Sequence, residues 1–217
     1  RAYMPPRSPN FLPGPEPHED RLKNFAIEVP EWYNFGYDVV DAWAEQEPDK
    51  LALLWVNQQR VERRYTFRDM KQESDRAARF LQDSTISRGD RVFLMLPRIP
   101  EWWILVVALI KLGAVFTPAP TLLTPHDIAY RLKIGRFALV ITDQENAPKV
   151  QEALEEEGAT PAGVVVHGTL PGWVSYPPDT PTRSMEQKRP LPVGETRSSD
   201  PLLIFFTSGT TGNPKMV

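Results

Sequence analysis

The chain has 217 residues, 41 % of them hydrophobic, with 25 Lys and Arg against 28 Asp and Glu for a net charge of −3. This length holds one large domain or two small ones, with enough apolar residues for a packed core. The charge balance excludes a global basic field for nucleic acid, and the lack of any cysteine excludes disulfides, thiolate catalysis and cysteine–zinc sites.

In chain order, Pro5, Pro6, Pro9, Pro13, Pro15 and Pro17 forbid regular structure and predict an extended arm. Val39, Val40, Trp43 and Ala44 fall at helical spacing, and Pro48 closes that helix. Leu51–Val56 and Arg63–Phe67 read as a β-hairpin. Thr66 followed by Asp69 is a capping-box pattern, with Phe67, Met70, Ala77, Ala78 and Leu81 as the buried stripe of the next helix.

From Arg91 onward strands and helices alternate. Val92–Leu96, Ala114–Thr117, Ala138–Thr142 and Gly163–Val166 are strand-like; Glu101–Leu112, Pro125–Leu132 and Asn146–Glu157 are helical. Such alternation predicts βαβ units in an α/β fold, with a mainly parallel sheet and helices on its faces. The longest apolar run, Trp102–Ile110, is far short of the roughly 20 residues of a membrane span, so a buried helix is expected and no transmembrane segment. Gly168–Ser199 breaks the rhythm with six prolines and reads as a long loop. After Asp200-Pro201, the run Leu202–Phe206 is expected to enter the core and to deliver the following loop at its carboxyl end, where α/β sheets hold ligands.

Candidate sites elsewhere are weaker. His18, His126 and His167 lack ligand spacing, and no metal site is assigned. Glu155-Glu156-Glu157 reads as a solvated face, and Trp102-Trp103 as core or interdomain contact. Arg131, Lys133 and Arg136 form a basic cluster that is not assigned to the site.

The loop itself is Thr207-Ser208-Gly209-Thr210-Thr211-Gly212-Asn213-Pro214-Lys215. Its glycines let backbone N–H groups converge on an anion, its hydroxyls donate, and its lysine adds a mobile charge. Pro214 keeps Asn213 out of the helical region. It is not a Walker A loop: Pro214 stands where that motif has its second glycine and Met216 where it has the magnesium-binding hydroxyl. It resembles instead the phosphate-binding signature of the adenylate-forming (AMP-binding) enzymes, Thr-Ser-Gly-Thr-Thr-Gly-x-Pro-Lys, which it matches at all eight defined positions. Tyr65-Thr66-Phe67, Gly89-Asp90-Arg91-Val92 and Lys111-Leu112-Gly113-Ala114-Val115 resemble the same superfamily. Tyr33–Asp41 and Glu47–Leu53 are similar to medium-chain acyl-CoA synthetases.

The resemblance implies a two-step ligation of a carboxylic acid, an aliphatic acid of medium length in that subfamily, to coenzyme A, driven by Mg2+-bound ATP. Ser208, Thr210 and Thr211 then donate to the β- and γ-phosphates, Gly209 and Gly212 give close approach, and Lys215 complements charge. The implied organisation is a proline-rich arm over 1–30 and a partial AMP-binding domain over 31–217 that stops after the phosphate loop. No catalytic residue is assigned within it, and the segment alone is expected to be inactive. The alternatives are another adenylate-forming enzyme, an aryl-CoA ligase or a peptide-synthetase adenylation domain, or a truncated non-catalytic nucleotide-binding protein. The chain opens on Arg1, and cytoplasm and mitochondrial matrix both remain open.

Overall fold

The computed structural model describes residues 29–178, 190–207 and 213–217. Most of the expected proline arm therefore lies outside the described residues, as does the middle of the phosphate loop. A π-helical turn, Gly36–Asp41, runs into helix α1, Ala42–Gln46. Strands β1 (Leu51–Val56) and β2 (Glu62–Thr66) form the expected antiparallel hairpin, which leads straight into helix α2 (Phe67–Asp83).

The start of α2 shows how local chemistry places an element. Thr66 Oγ1 accepts from the Asp69 backbone N–H at 3.2 Å, and Asp69 Oδ2 accepts from the Thr66 N–H at 2.8 Å. Two otherwise unpaired donors of the first turn are thus satisfied reciprocally. The Thr66 backbone hydrogen bond, with its hydroxyl, holds the Asp69 carboxyl below its ordinary value. A depressed folded-state pKa stabilises above the unfolded value and loses that contribution as the pH falls through the folded one. Thr66→Ala is therefore expected to cost about 1 kcal/mol near neutrality. The penalty should shrink in acid, which urea midpoints measured at several pH values would check.

The main sheet is five-stranded in the order β4-β3-β5-β6-β7, with every pairing parallel. Its strands are β3 (Arg91–Met95), β4 (Val115–Pro118), β5 (Leu139–Asp143), β6 (Ala162–Val166) and β7 (Val174–Tyr176). Helices α3 (Pro100–Leu112), α4 (Pro125–Gly135) and α5 (Ala147–Glu157) connect them. The two-residue side-chain period of a strand divides the core. Val92, Leu94, Leu139 and Ile141 pack with α2 and α3 on one face. Phe93, Met95 and Val140 pack with Ile128, Leu132, Val150 and Ala153 of α4 and α5 on the other. This is the expected α/β arrangement, a sheet covered on both sides.

Two expectations are corrected. The long loop from Gly168 contains β7, which extends the sheet through Val164↔Val174 and Val166↔Tyr176. Three residues are too few for a periodic signal, and the pairing depends on Trp173 lying over Gly163, where a β-carbon would sit 2.1 Å from the indole. Second, Leu202–Phe206 enters the core only in part. Leu202 and Phe205 are 44 % and 53 % exposed, while Leu203 and Phe206 pack against the two core clusters, the run lying beside β4 through a parallel bridge between Phe116 and Leu203.

Helix α3, the expected buried helix, has 13 residues. No helix among the described residues is long and apolar enough to cross a membrane. It stops at Gly113, whose φ of +66° suits glycine, with the N–H groups of Gly113 and Ala114 donating to Ile110 and Leu109.

Candidate functional site

The loop expected from the sequence to bind phosphate is flanked by a short antiparallel hairpin, β8 (Phe206–Thr207) with β9 (Lys215–Met216). Its register pairs Phe206 with Met216 and Thr207 with Lys215. Phe205 and Val217 exchange both backbone hydrogen bonds just outside it, at 2.9 and 2.8 Å. The hairpin is tied to the sheet by Phe116, whose N–H donates to Leu202 and whose carbonyl accepts from Ile204. Because Leu203 runs parallel to β4 at Phe116, residues 206 and 207 emerge beyond the carboxyl ends of the sheet strands. That end is where α/β folds hold ligands.

Of the residues named from the sequence, Thr207, Asn213, Pro214 and Lys215 are described, and Ser208, Gly209, Thr210, Thr211 and Gly212 lie outside the described residues. Thr207 and Lys215 face each other across the hairpin, both exposed, and the Thr207 hydroxyl donates to the Lys215 carbonyl at 3.4 Å. Asn213 is exposed and Pro214 half-buried.

Helix α4 packs alongside. The Tyr130 hydroxyl donates to the Pro214 carbonyl at 3.2 Å, and the Arg131 guanidinium lies 5.3 Å from the centre of the Phe206 ring. Burial pushes Arg131 down from its ordinary value, against the opposing influence of Asp127. A guanidinium keeps its charge in proteins regardless.

The basic cluster seen in the sequence is dispersed. Arg131 faces Phe206, Lys133 pairs with Glu157 at 3.6 Å, and Arg136 ends α4 in a left-handed conformation with φ +50°. Lys133 and Arg136 line a cleft of about 500 Å³ at the amino-terminal ends of β5 and β6, at the other end of the sheet from the β8–β9 hairpin. His126 pairs with Glu156 and His167 with Glu101, each at 2.9 Å, whereas His18 lies outside the described residues. Among the described residues no three His, Cys, Asp or Glu side chains gather in a metal-binding arrangement.

A buried charge network escaped the sequence reading. Lys111, fully buried, reaches Asp41 at 2.7 Å and Asp75 at 2.6 Å, and Lys71 contacts the same two carboxylates at 2.9 and 3.4 Å. Gly36 permits this: a β-carbon there would lie 2.5 Å from Lys111 Cγ. The sequence showed Lys111 as the polar end of an apolar run, and its partners are 36 and 70 positions away.

Known proteins carry the same pattern. The AMP-binding enzyme family matches residues 40–217. Acyl-coenzyme A synthetase ACSM5, mitochondrial, of Rattus norvegicus is 37 % identical over 196 residues, 87 % of this chain and 33 % of the relative. Acyl-coenzyme A synthetase ACSM3, mitochondrial, of Homo sapiens is 33 % identical over 212 residues, 92 % of this chain and 34 % of the relative. The chain thus spans about a third of the length of these relatives. Among solved structures, the acyl-CoA synthetase of Brucella canis superposes with a TM-score of 0.74 at 26 % identity, over 92 % of this chain and 37 % of that one. Acetoacetyl-CoA synthetase from Streptomyces lividans shares the fold, with a TM-score of 0.73 at 20 % identity over 86 % of this chain and 30 % of that one. With the family pattern running from residue 40 to residue 217, this chain belongs to the AMP-binding enzymes.

Proposed function

We propose that the protein containing this chain is an AMP-forming acyl-CoA synthetase acting on a carboxylic acid of medium length. The observation that carries the reading is the complete signature Thr207–Lys215, with its two ends paired just past the carboxyl end of the sheet. In the proposed reaction the acid carboxylate attacks the α-phosphorus of ATP, pyrophosphate leaves, and an acyl-adenylate forms. The thiol of coenzyme A then attacks the acyl carbon; AMP leaves, the thiol proton passes to solvent, and a thioester remains.

Negative charge builds on the leaving pyrophosphate, so donors aimed at the β- and γ-phosphates accelerate the first step most. Ser208, Thr210 and Thr211 are assigned that task by their hydroxyls, and Gly209 and Gly212 by their bare N–H groups. Lys215, exposed beside Thr207, supplies a cation free to follow the phosphates. Magnesium accompanies ATP and neutralises part of the same charge. The two relatives are mitochondrial by name, which favours the matrix over the cytoplasm for this protein.

The test is pyrophosphate exchange into ATP by the full-length protein with saturated acids of 4 to 12 carbons, benzoate, and the amino acids in turn. Exchange should be greatest with an aliphatic acid near the middle of that series, and formation of the matching thioester should require coenzyme A. Exchange with amino acids alone would mark an adenylation domain instead. No exchange with any acid would leave a non-catalytic nucleotide binder.

A further inference from the structure

The segment Tyr33–Asp41 takes no part in the site, yet one of its residues joins three parts of the chain. Asn34 is 4 % exposed, and each polar atom of its side chain is used. Its Nδ2 donates to the Ile110 carbonyl near the end of α3, at 2.7 Å, and to the Thr196 hydroxyl, at 3.0 Å. Its Oδ1 accepts from the Gly36 N–H at 3.0 Å, and its backbone N–H donates to the Asp38 carboxylate. Asn34 and Thr196 stand 162 positions apart in the chain.

Around this amide the two segments pair directly. The Tyr33 N–H donates to the Thr196 carbonyl at 3.0 Å, the Ser198 N–H donates to the Glu31 carbonyl at 3.1 Å, and Trp32 faces Arg197 in an antiparallel bridge. The Arg197 guanidinium reaches Glu31 at 2.8 Å and lies 4.4 Å from the centre of the Trp32 ring. Asp200 fastens the far end, accepting from the Arg197 N–H at 2.8 Å and pairing with Arg88 at 2.6 Å. Gly113 leaves room for the junction: a β-carbon there would lie 3.1 Å from Arg88 Cγ and 3.5 Å from Thr196 Oγ1.

Apolar packing stops on either side of this seam. Leu191 and Leu203 pack against the larger core cluster, and no residue between them belongs to either cluster. The same holds for residues 29–36. Among the described residues, every main-chain hydrogen bond of residues 30–33 goes to 196–198. The contact is therefore a set of polar bonds, with Glu31, Arg197 and Ser198 exposed, gathered on one buried amide. Regions built this way open at a free energy well below that of global unfolding, and moving parts of proteins are drawn from them.

We propose that Asn34 is the pin of a latch: residues 30–35 and 193–200 detach from the end of α3 together, as one unit, while the five-stranded sheet stays folded. Each segment supplies the other's partners. If the loop leaves, an Nδ2 proton of Asn34 and the Tyr33 N–H lose their acceptors; if the entry segment leaves, the Ser198 N–H loses its own. Opening one side thus leaves donors unmet on the other, which couples the two. This latch is independent of the reaction proposed for the site.

The experiment uses the full-length protein and the variants Asn34→Ala and Thr196→Val. Hydrogen exchange read by mass spectrometry follows peptides covering 30–36, 194–200, β5 and β6 at several urea concentrations below the unfolding transition. A second readout is the rate at which trypsin cuts after Arg197, which reports the population of the open form. In the unaltered protein both latch segments should have the same protection within about threefold, well below that of β5 and β6 and almost independent of urea. Asn34→Ala should lower protection in both segments by a common factor of roughly tenfold to a hundredfold, and speed the cut after Arg197 in parallel. Thr196→Val, which removes one bond and leaves Asn34 on Ile110, should do the same by roughly threefold to tenfold, and it carries the test if Asn34→Ala does not fold.

A change confined to the mutated segment would overturn the proposal, because the two sides would then open separately. Protection and urea dependence equal to those of β5 and β6 would overturn it as well, by showing that the segments are released only when the whole domain unfolds.

Discussion

Lys111→Met is expected to destabilise the domain by about 3 kcal/mol, the scale of breaking a buried ion pair by removing one partner. Methionine has nearly the length of the lysine stem, so the packing against Gly36 and Tyr37 is largely kept and the charge is what disappears. Asp41 and Asp75, each bonded to the Lys111 ammonium, are then left facing one another with Lys71 alone between them. Lys71 is a weaker substitute because its side chain is 35 % exposed and its hydrogen bond to Asp75 is long, at 3.4 Å.

The net pKa of Lys71 is raised: burial pulls it down, and Asp41 and Asp75 together outweigh that. Its contribution is accordingly complete below the ordinary lysine value of 10.5 and lost only as the pH rises through the higher folded one. The Lys71 contribution should therefore be constant between pH 6 and 9, as the loss caused by Lys71→Met would show in denaturant midpoints. Adding Asp75→Asn to Lys111→Met should restore at least about 1 kcal/mol by removing one stranded carboxylate. A loss below about 1 kcal/mol for Lys111→Met would mean that Lys71 alone satisfies the network.

Lys215→Ala and Thr210→Val are expected to slow acyl-adenylate formation by about one to three orders of magnitude in the full-length protein, as befits removal of one donor to a developing charge. Single-turnover quenching with saturating acid and ATP isolates that step from thioester formation and release. Lys215 is exposed and belongs to neither core cluster, so its removal should move the unfolding free energy by no more than about 0.5 kcal/mol. Normal turnover combined with a large fall in the unfolding midpoint would show that the loop is a structural turn. Thr207→Ala should be milder than either, because the Thr207 hydroxyl is engaged with the Lys215 carbonyl inside the hairpin.

The sequence by itself determined the elements whose signals are local. The Thr66 and Asp69 capping box, proline in the first turn of α3 and α4, and the stop at Gly113 each depend on residues within one turn of each other. The strands β3, β5 and β6 have apolar central runs because both faces are covered, and they lie within one residue of their expected starts. The signature Thr207–Lys215 is likewise contiguous in the chain, so the family could be read from it alone.

What needed the tertiary structure is everything set by distant partners. β7 is a strand only because β6 offers its open edge, and within Leu202–Phe206 it is Leu203 and Phe206 that pack on the core while Leu202 and Phe205 face out. Lys111 reads as the end of an apolar helix until the fold brings Asp41 and Asp75 to its ammonium. Tyr130 and Arg131 look like one more turn of an amphipathic helix until the hairpin, more than 70 residues later in the chain, is laid against them. Periodicity reports which face of a segment is buried, whereas the identity of what buries it is decided by topology.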